Sequence, residues 1–359
     1  MGKIHEVAAR AGVSTSTVSR TFRSPTMLRT DTEKRVLEAA RQLNYRPHKR
    51  RSLPAVSDEP VVPGPQSASR KPIGFQFFRY DEFDSLLVNE FYGHVLSAVL
   101  REAEDLNLNV ILNTVDRHID TAVLPKMIRD QDVAAVMLVG KADPDVIAAY
   151  MAKVPYVLLV DYWDPTLSCD NIITDGFAGT FSATQYLAEL GHRRIGFLLG
   201  VPNVTPFIDR LRGYQAACYE LGLDMDRDLV IRNEPENGRG DAVEEFLQRP
   251  NRPTAIVAAN DKYARTVLSV ARRLDLNVPR DLSVIGFDDV ERSKETDPPL
   301  TTLSVNKNDF GRLAVRRLWN RLQAADLGLS QEPAVCYKLP AELILRESCA
   351  PPSQPLTAR

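Results

Sequence analysis

The 359-residue chain is poor in cysteine: Cys169, Cys218, Cys336 and Cys349 stand far apart and form no C-x-x-C pair. That excludes a disulfide framework or a thiolate zinc site and suits reduced thiols. No apolar run approaches the roughly 18 residues that a membrane helix needs. The first residues, Met1 to Glu6, carry no apolar signal-peptide core, so a cytoplasmic location is expected. Catalytic signatures are missing as well. There is no G-x-G-x-x-G, no Walker-type phosphate loop, no G-x-S-x-G elbow and no H-E-x-x-H. The five histidines (His5, His48, His94, His118, His192) are scattered, and the aspartates lack the tight spacing of a metal loop. His192 is expected in a helix-ending turn, its charge complementing the helix dipole. No cofactor, no metal and no enzymatic activity are expected; a carbohydrate-active or other α/β enzyme with no DNA role is the rival reading.

Net charge is also scarce, at −2, but the average hides a division. Residues 1–51 hold twelve basic side chains against four acids, a balance of +8, while residues 52–359 hold 33 against 43, a balance of −10. A basic module that meets polyanions is thus joined to an acidic body with another task.

In the basic module, Val7, Ala8 and Ala11 share one helical face and Gly12 supplies a turn. Ser14 is placed to N-cap a second helix over 15–22, with Val18 and Phe22 inward and Thr15, Ser16, Ser19 and Arg20 outward. A third helix starts at the capping box Thr30-x-x-Glu33, with Val36, Leu37, Ala40 and Leu43 as its apolar stripe. Helix, glycine turn, then a helix of small polar residues and an arginine is helix-turn-helix chemistry. Short side chains admit close approach to base edges, and the arginine can pair with guanine. The blander alternative is a three-helix bundle whose basic face is only solvated. Lys49-Arg50-Arg51 suits phosphate contacts, or equally a solvated charge run.

Residues 52–71, rich in Pro and Ser, read as an extended linker. Beyond them, strand-like runs at 73–78, 109–113, 134–139, 156–160, 195–199, 229–232, 255–258 and 282–287 alternate with helix-length segments at 90–106, 176–190, 210–221, 241–248 and 261–274. Strand–helix alternation with buried-type strands predicts doubly wound parallel α/β structure. The span of about 290 residues favours two lobes over one sheet.

The run from Ile4 to Arg20 (Ile-His-Glu-Val-Ala-Ala-Arg-Ala-Gly-Val-Ser-Thr-Ser-Thr-Val-Ser-Arg), with Asn44-Tyr45-Arg46-Pro47, resembles the headpiece of lactose-repressor (LacI/GalR) family regulators. The resemblance continues through Gly191-His192-Arg193-Arg194-Ile195-Gly196, Ala259-Asn260-Asp261, Val284-Ile285-Gly286-Phe287-Asp288-Asp289, Pro298-Pro299-Leu300-Thr301-Thr302 and Leu345-Arg346-Glu347-Ser348. It implies that Thr15, Ser16 and Arg20 read bases of a near-palindromic operator. It implies further that the body is a two-lobed, periplasmic-binding-protein-like sensor that dimerises and binds a small effector, with a sugar as the first expectation. The implied division is 1–51 headpiece, 52–71 hinge, 72–346 effector domain and 347–359 tail. Lobe 1 takes about 72–192 and 306–328; lobe 2 takes about 193–305 and 329–346. The chain departs from the family's hinge-helix pattern at His48, Arg51 and Pro54, and Pro235 stands where relatives often present an aromatic.

Ligands of such folds sit at the C-terminal ends of strands. There this sequence offers Asp161-Tyr162-Trp163, Asp175, Asn260 and Asp288, together with Asn89 and Phe91 after a long loop at 79–88. Arg210, in Asp-Arg-Leu-x-Gly-Tyr, matches the family's effector arginine. Carboxylates, amides and an arginine pair with hydroxyls, and an aromatic can cover a sugar's C–H face. Asp175 and Asp261 would also serve as simple helix caps, and Tyr162 and Trp163 as wall filling.

Overall fold

The structure is a computed structural model that describes residues 4–14, 18, 21, 30–43, 71–79, 86, 89–116, 124–200, 204–232, 240–330 and 332–353. It divides into two compact units, Met1–Gln66 and Ser67–Arg359.

In the first unit, α1 (Ile4–Ala11) and α2 (Thr30–Gln42) enclose a small core of Val7, Ala8, Ala11, Val18, Val36, Ala39 and Ala40. Gly12 follows α1 at φ +66°, a left-handed turn that glycine adopts without strain. Helix α2 starts at Thr30, as the capping box predicts. Its inner stripe differs from expectation: Leu37 is exposed and Ala39 is buried in its place. Thr15, Ser16, Ser19, Arg20, Lys49, Arg50 and Arg51 lie outside the described residues.

The second unit is built on two six-stranded sheets. The first runs β2 (Val110–Asp116), β1 (Ile73–Arg79), β3 (Ala135–Val139), β4 (Val157–Val160), β5 (Asp170–Thr174), β11 (Cys336–Leu339), all parallel. The second runs β7 (Val230–Ile231), β6 (Ile195–Leu198), β8 (Ala255–Ala258), β9 (Ser283–Asp288), β10 (Thr301–Val305), β12 (Ala341–Ile344), with only β12 antiparallel. The central strands are buried on both faces, as their unbroken apolar runs demand. One polar side chain inside β1, Gln76, is satisfied by Asn113 of β2, which donates to its Oε1 at 2.9 Å.

The helices are α3 (Tyr92–Asp105), α4 (Lys126–Arg129), α5 (Pro144–Met151), α6 (Gly176–Glu189), α7 (Thr205–Glu220), α8 (Asp241–Leu247), α9 (Asp261–Arg273), α10 (Glu291–Lys294) and α11 (Lys307–Asp326). Helices α3 and α11 meet at Gly311, where a Cβ would stand 2.6 Å from Ala98 Cβ and from the Val95 carbonyl oxygen. Helices α6 and α7 touch as closely at Gly213, 2.1 Å from the Phe177 carbonyl oxygen by the same measure. Only glycine permits these approaches, and they fix the helices that carry Tyr92 and Arg210.

The sheet topology draws the lobes differently from the sequence expectation. The chain leaves the first sheet after Thr174, returns to that lobe after Val305 with α11, and crosses again between Leu339 and Ala341. Residues 176–189 therefore belong to lobe 2, because α6 packs on α7 and β12. Residues 336–339 belong to lobe 1, because β11 pairs with β5. Residues 347–352 form no loose tail. Ser348 donates to the Val284 carbonyl at 2.6 Å, and His192 Nε2 lies 2.9 Å from the Ala350 carbonyl. His192 is almost fully buried and its proton affinity is lowered by burial, so it docks this segment rather than capping a helix as an exposed cation.

Candidate functional site

The facing ends of the two sheets bring a carboxylate of lobe 1 towards an arginine and a carboxylate of lobe 2. Asp161 follows β4 with φ +57°, a left-handed geometry uncommon for a residue with a side chain. Its backbone N–H donates to the Ile172 carbonyl at 2.9 Å, and Tyr92 Oη donates to Oδ2 at 2.8 Å. Tyr92 is itself held by ring contacts, 5.2 Å from both Phe77, tilted, and Phe91, edge-on. Asp161 Oδ1 is buried with no hydrogen-bond partner in the protein. Burial pushes this carboxyl up to about 6; Arg210 and the Tyr92 bond work against that rise, and Asp288 adds to it.

Arg210, on α7, is 3 % exposed. Its Nη1 donates to the Ala259 carbonyl, and its Nη2 donates to Asp288 Oδ1 at 3.3 Å. The guanidinium carbon lies over the Phe287 ring, 3.7 Å from the centroid, with Phe207 at 5.5 Å. Its backbone carbonyl accepts from Thr180 Oγ1 at 2.6 Å, across the tight α6–α7 contact. Arg210 Nε is buried without a partner. Two unpaired polar atoms, an acceptor on lobe 1 and a donor on lobe 2, thus belong to one electrostatic group.

Asp288 ends β9 at φ +103°. Burial raises its proton affinity, and Arg210 and Lys307 oppose that rise. Lys307, the first residue of α11, donates to the backbone carbonyls of Asp288 and, at 3.2 Å, Asp289. Burial lowers its proton affinity while Asp288 and Asp289 raise it. Asp261 is 1 % exposed and accepts from Thr302 Oγ1 at 2.5 Å and from the Val290 N–H at 2.9 Å. Burial, reinforced by Asp288, pushes its carboxyl up to about 7. Asp289 is turned away to Arg346, which donates to it at 2.5 Å.

The other sequence candidates have local duties. Asp175 caps α6 by accepting from the Ala178 N–H at 3.1 Å, as its helix-cap reading foresees. The cap of α9 is Asn260, accepting from Tyr263 N–H at 2.9 Å, and not Asp261. Asn89 accepts from the N–H groups of Phe91 and Tyr92 and so shapes the entry to α3. Phe91 packs edge-on against Phe310. Tyr162 is taken into a core cluster with Tyr150 and Val146, its hydroxyl 3.3 Å from Asp164; wall filling describes it. Trp163 is half-buried, and its carbonyl accepts from Thr205 Oγ1 of lobe 2 at 2.8 Å. Pro235 and most of the 79–88 loop lie outside the described residues.

Sequence reasoning passes over Tyr92 and Lys307 as site residues. Lys307 carries a readable signal, a lysine two residues past a strand end, but the run at 301–305 is not among the strands expected from the sequence. Among the described residues, no cluster of His, Cys, Asp and Glu could hold a metal ion, and no helix is long and apolar enough to cross a membrane.

Comparison with known proteins agrees with this architecture. Residues 3–48 match the bacterial regulatory proteins of the lacI family, and residues 184–349 match the periplasmic binding protein-like domain. The chain is 27 % identical over 351 residues to the HTH-type transcriptional repressor CytR of Escherichia coli K12, covering 96 % of this chain and 95 % of that one. It is 29 % identical over 352 residues to the repressor PurR of Haemophilus influenzae, covering 97 % and 98 %. Among solved structures, a complex of the transcriptional regulator CelR with cellobiose superposes with a TM-score of 0.70 at 25 % identity, covering 97 % of this chain and all of that one. With a lacI-type headpiece, two periplasmic-binding-type lobes and full-length similarity to these regulators, the chain belongs to the LacI family of bacterial regulatory proteins.

Proposed function

We propose that this family member is a transcriptional repressor that works in the cytoplasm as a dimer. Its binding to a near-palindromic operator is set by a hydroxyl-rich effector, a sugar in the first instance, held between the lobes without turnover. The repressor names of CytR and PurR and the cellobiose bound by CelR support the reading. One observation carries the ligand class: Asp161 Oδ1 and Arg210 Nε, on opposite lobes, are both buried and unpartnered. Each such group costs about 1–3 kcal/mol while its bond is unmade. A hydroxyl can donate to the carboxylate and accept from the guanidinium, so a polyol supplies both bonds at once. A fully ionised phosphate or carboxylate has no proton to donate to Asp161, whereas every hydroxyl of a sugar has one.

In this reading Thr15, Ser16, Ser19 and Arg20 face the major groove, and Lys49, Arg50 and Arg51 meet phosphates. Effector acts only through its different affinity for lobe arrangements that do and do not favour DNA. A thermal-shift screen of neutral sugars, sugar phosphates and nucleosides tests the reading, because a ligand that binds the folded state raises the melting temperature. Stabilisation by a neutral sugar, with the sugar recovered unchanged, is expected. Stabilisation by phosphorylated sugars alone, or turnover, would overturn it.

A further inference from the structure

Glu90 lies on lobe 1 between the Asn89 turn and α3, yet its carboxylate reaches two arginines of lobe 2. Arg265, from the second turn of α9, places Nη1 3.5 Å from Glu90 Oε2. Arg292, on the short helix α10, places Nε 3.7 Å from Oε1, and its backbone N–H donates to the same oxygen at 3.4 Å. Glu90 and Arg265 are about three-quarters buried, with side-chain exposures of 25 % and 27 %. Such a pair is screened by salt less than a fully exposed one, and a third charge makes it a small network. The Asn89 carboxamide, accepting from the N–H groups of Phe91 and Tyr92, fixes the turn from which Glu90 projects. These contacts bridge the lobes through space, independently of the backbone crossings after Thr174, Val305 and Leu339.

We propose that Glu90 is an electrostatic latch: paired with Arg265 and Arg292, it favours the arrangement in which the two lobes meet. Salt or charge substitution at this point then resets the lobe equilibrium on which an effector acts. Another contact between the lobes, Thr205 Oγ1 to the Trp163 carbonyl, is remote in sequence from Glu90 and reports the same closure. The latch bears on regulation of the site proposed above and rests on that reading. Its test uses neither effector nor DNA, so the latch can fail while the effector reading stands, and the reverse.

Amide hydrogen exchange on the full-length, ligand-free protein tests it. In Glu90→Gln and in the double variant Arg265→Gln/Arg292→Gln, segments 161–165 and 204–209 should exchange about three- to tenfold faster. Strands 135–139 and 255–258 should keep their protection. The triple charge exchange Glu90→Arg/Arg265→Glu/Arg292→Glu should restore the slow rates, which a merely local packing role of Glu90 would not. Raising salt from about 0.05 to 0.5 M should speed the same segments in the wild-type protein and leave Glu90→Gln unchanged. Equal protection in wild type and Glu90→Gln overturns the latch. So does wild-type exchange that ignores salt, which keeps the test decisive where a variant fails to fold.

Discussion

Tyr92 Oη donates to Asp161 Oδ2 at 2.8 Å and leaves the other oxygen of that carboxylate buried with no protein partner. The carboxyl is therefore harder to ionise in the folded chain than in the unfolded one, by burial first, with its proton leaving near pH 6. The sign of the consequence is fixed by linkage. Below the ordinary carboxylate range both states hold the proton and no penalty arises. As pH rises through 6, the folded state must ionise a buried group and loses stability. Asp161→Asn should accordingly stabilise the chain at pH 7.5, by about 1–2 kcal/mol, while weakening effector binding. Its advantage over wild type should shrink towards zero as pH falls from 6 to 4. Melting curves of both proteins across that range check this; an advantage independent of pH would remove Asp161 from the buried, half-satisfied state described here.

How much of this was legible in the residues follows from what each residue must do. Strands buried on both faces, such as 135–139 and 255–258, announce themselves because nothing but apolar side chains fits there. The β5 run Asp170–Thr174 and the β10 run Thr301–Val305 do not, because polar side chains interrupt them and some of these find partners only at a distance in sequence. Thr302 donates to Asp261, and Asp170 receives arginines from α11. The longest helix, α11, stays hidden for a related reason: Arg317 within it is buried, so its apolar stripe is interrupted by a charge. At the site, the residue types at strand ends were readable, as were Asp175 as a cap and Tyr162 as wall filling; the cap at Asn260 and the unpaired oxygen of Asp161 were not. Asn260 and Asp161 both follow strands, and only tertiary contacts decide that one serves a helix and the other points at its opposite lobe.

Arg210 combines a fork, a charge and a stacking plane, and a lysine keeps only the charge. Arg210→Lys loses the stacking contact with Phe287 and has one nitrogen in place of three spaced ones with which to reach Ala259, Asp288 and a ligand. Effector affinity should fall at least about tenfold, equivalent to about 1.4 kcal/mol, while operator binding without effector persists. Titration calorimetry with the sugar found in the thermal screen, beside a DNA-binding assay, checks both halves. An unaltered effector affinity would place the ligand elsewhere.

Asp170 organises the far edge of lobe 1. Arg317 donates to it through Nε at 3.0 Å and Nη2 at 3.1 Å; Arg321 does the same at 3.0 and 3.1 Å. The Val335 N–H adds a fifth bond at 2.9 Å, just before β11. Burial alone would raise this carboxyl, but the bonds from Arg321 and Arg317 hold it below the usual range. Its stabilising contribution is thus present at neutral pH and is lost as pH falls through that lowered value. Asp170→Asn leaves two arginines on a neutral amide and should cost about 3–5 kcal/mol in urea unfolding. Hydrogen exchange should show the loss concentrated in 332–339. A cost under about 1 kcal/mol would mean that the pair contributes no more than a surface ion pair.

The +8 charge of residues 1–51 and the exposed polar face expected around Arg20 make separable predictions about DNA. A base-reading arginine contributes to one position of the site, whereas a phosphate-binding lysine or arginine contributes equally to every sequence. Arg20→Ala should weaken operator binding by about 1–3 kcal/mol and relax the base preference at one position of each half-site. Neutralising Lys49, Arg50 and Arg51 should weaken binding to all sequences alike and flatten its salt dependence, by about one unit of slope for each phosphate left without its cation. Binding-site selection followed by salt titrations on the selected operator separates the two. If Arg20→Ala keeps full specificity, the arginine meets the backbone rather than a base. If the basic triplet can be neutralised with no change in slope, it is a solvated charge run, and the headpiece alone supplies the phosphate contacts.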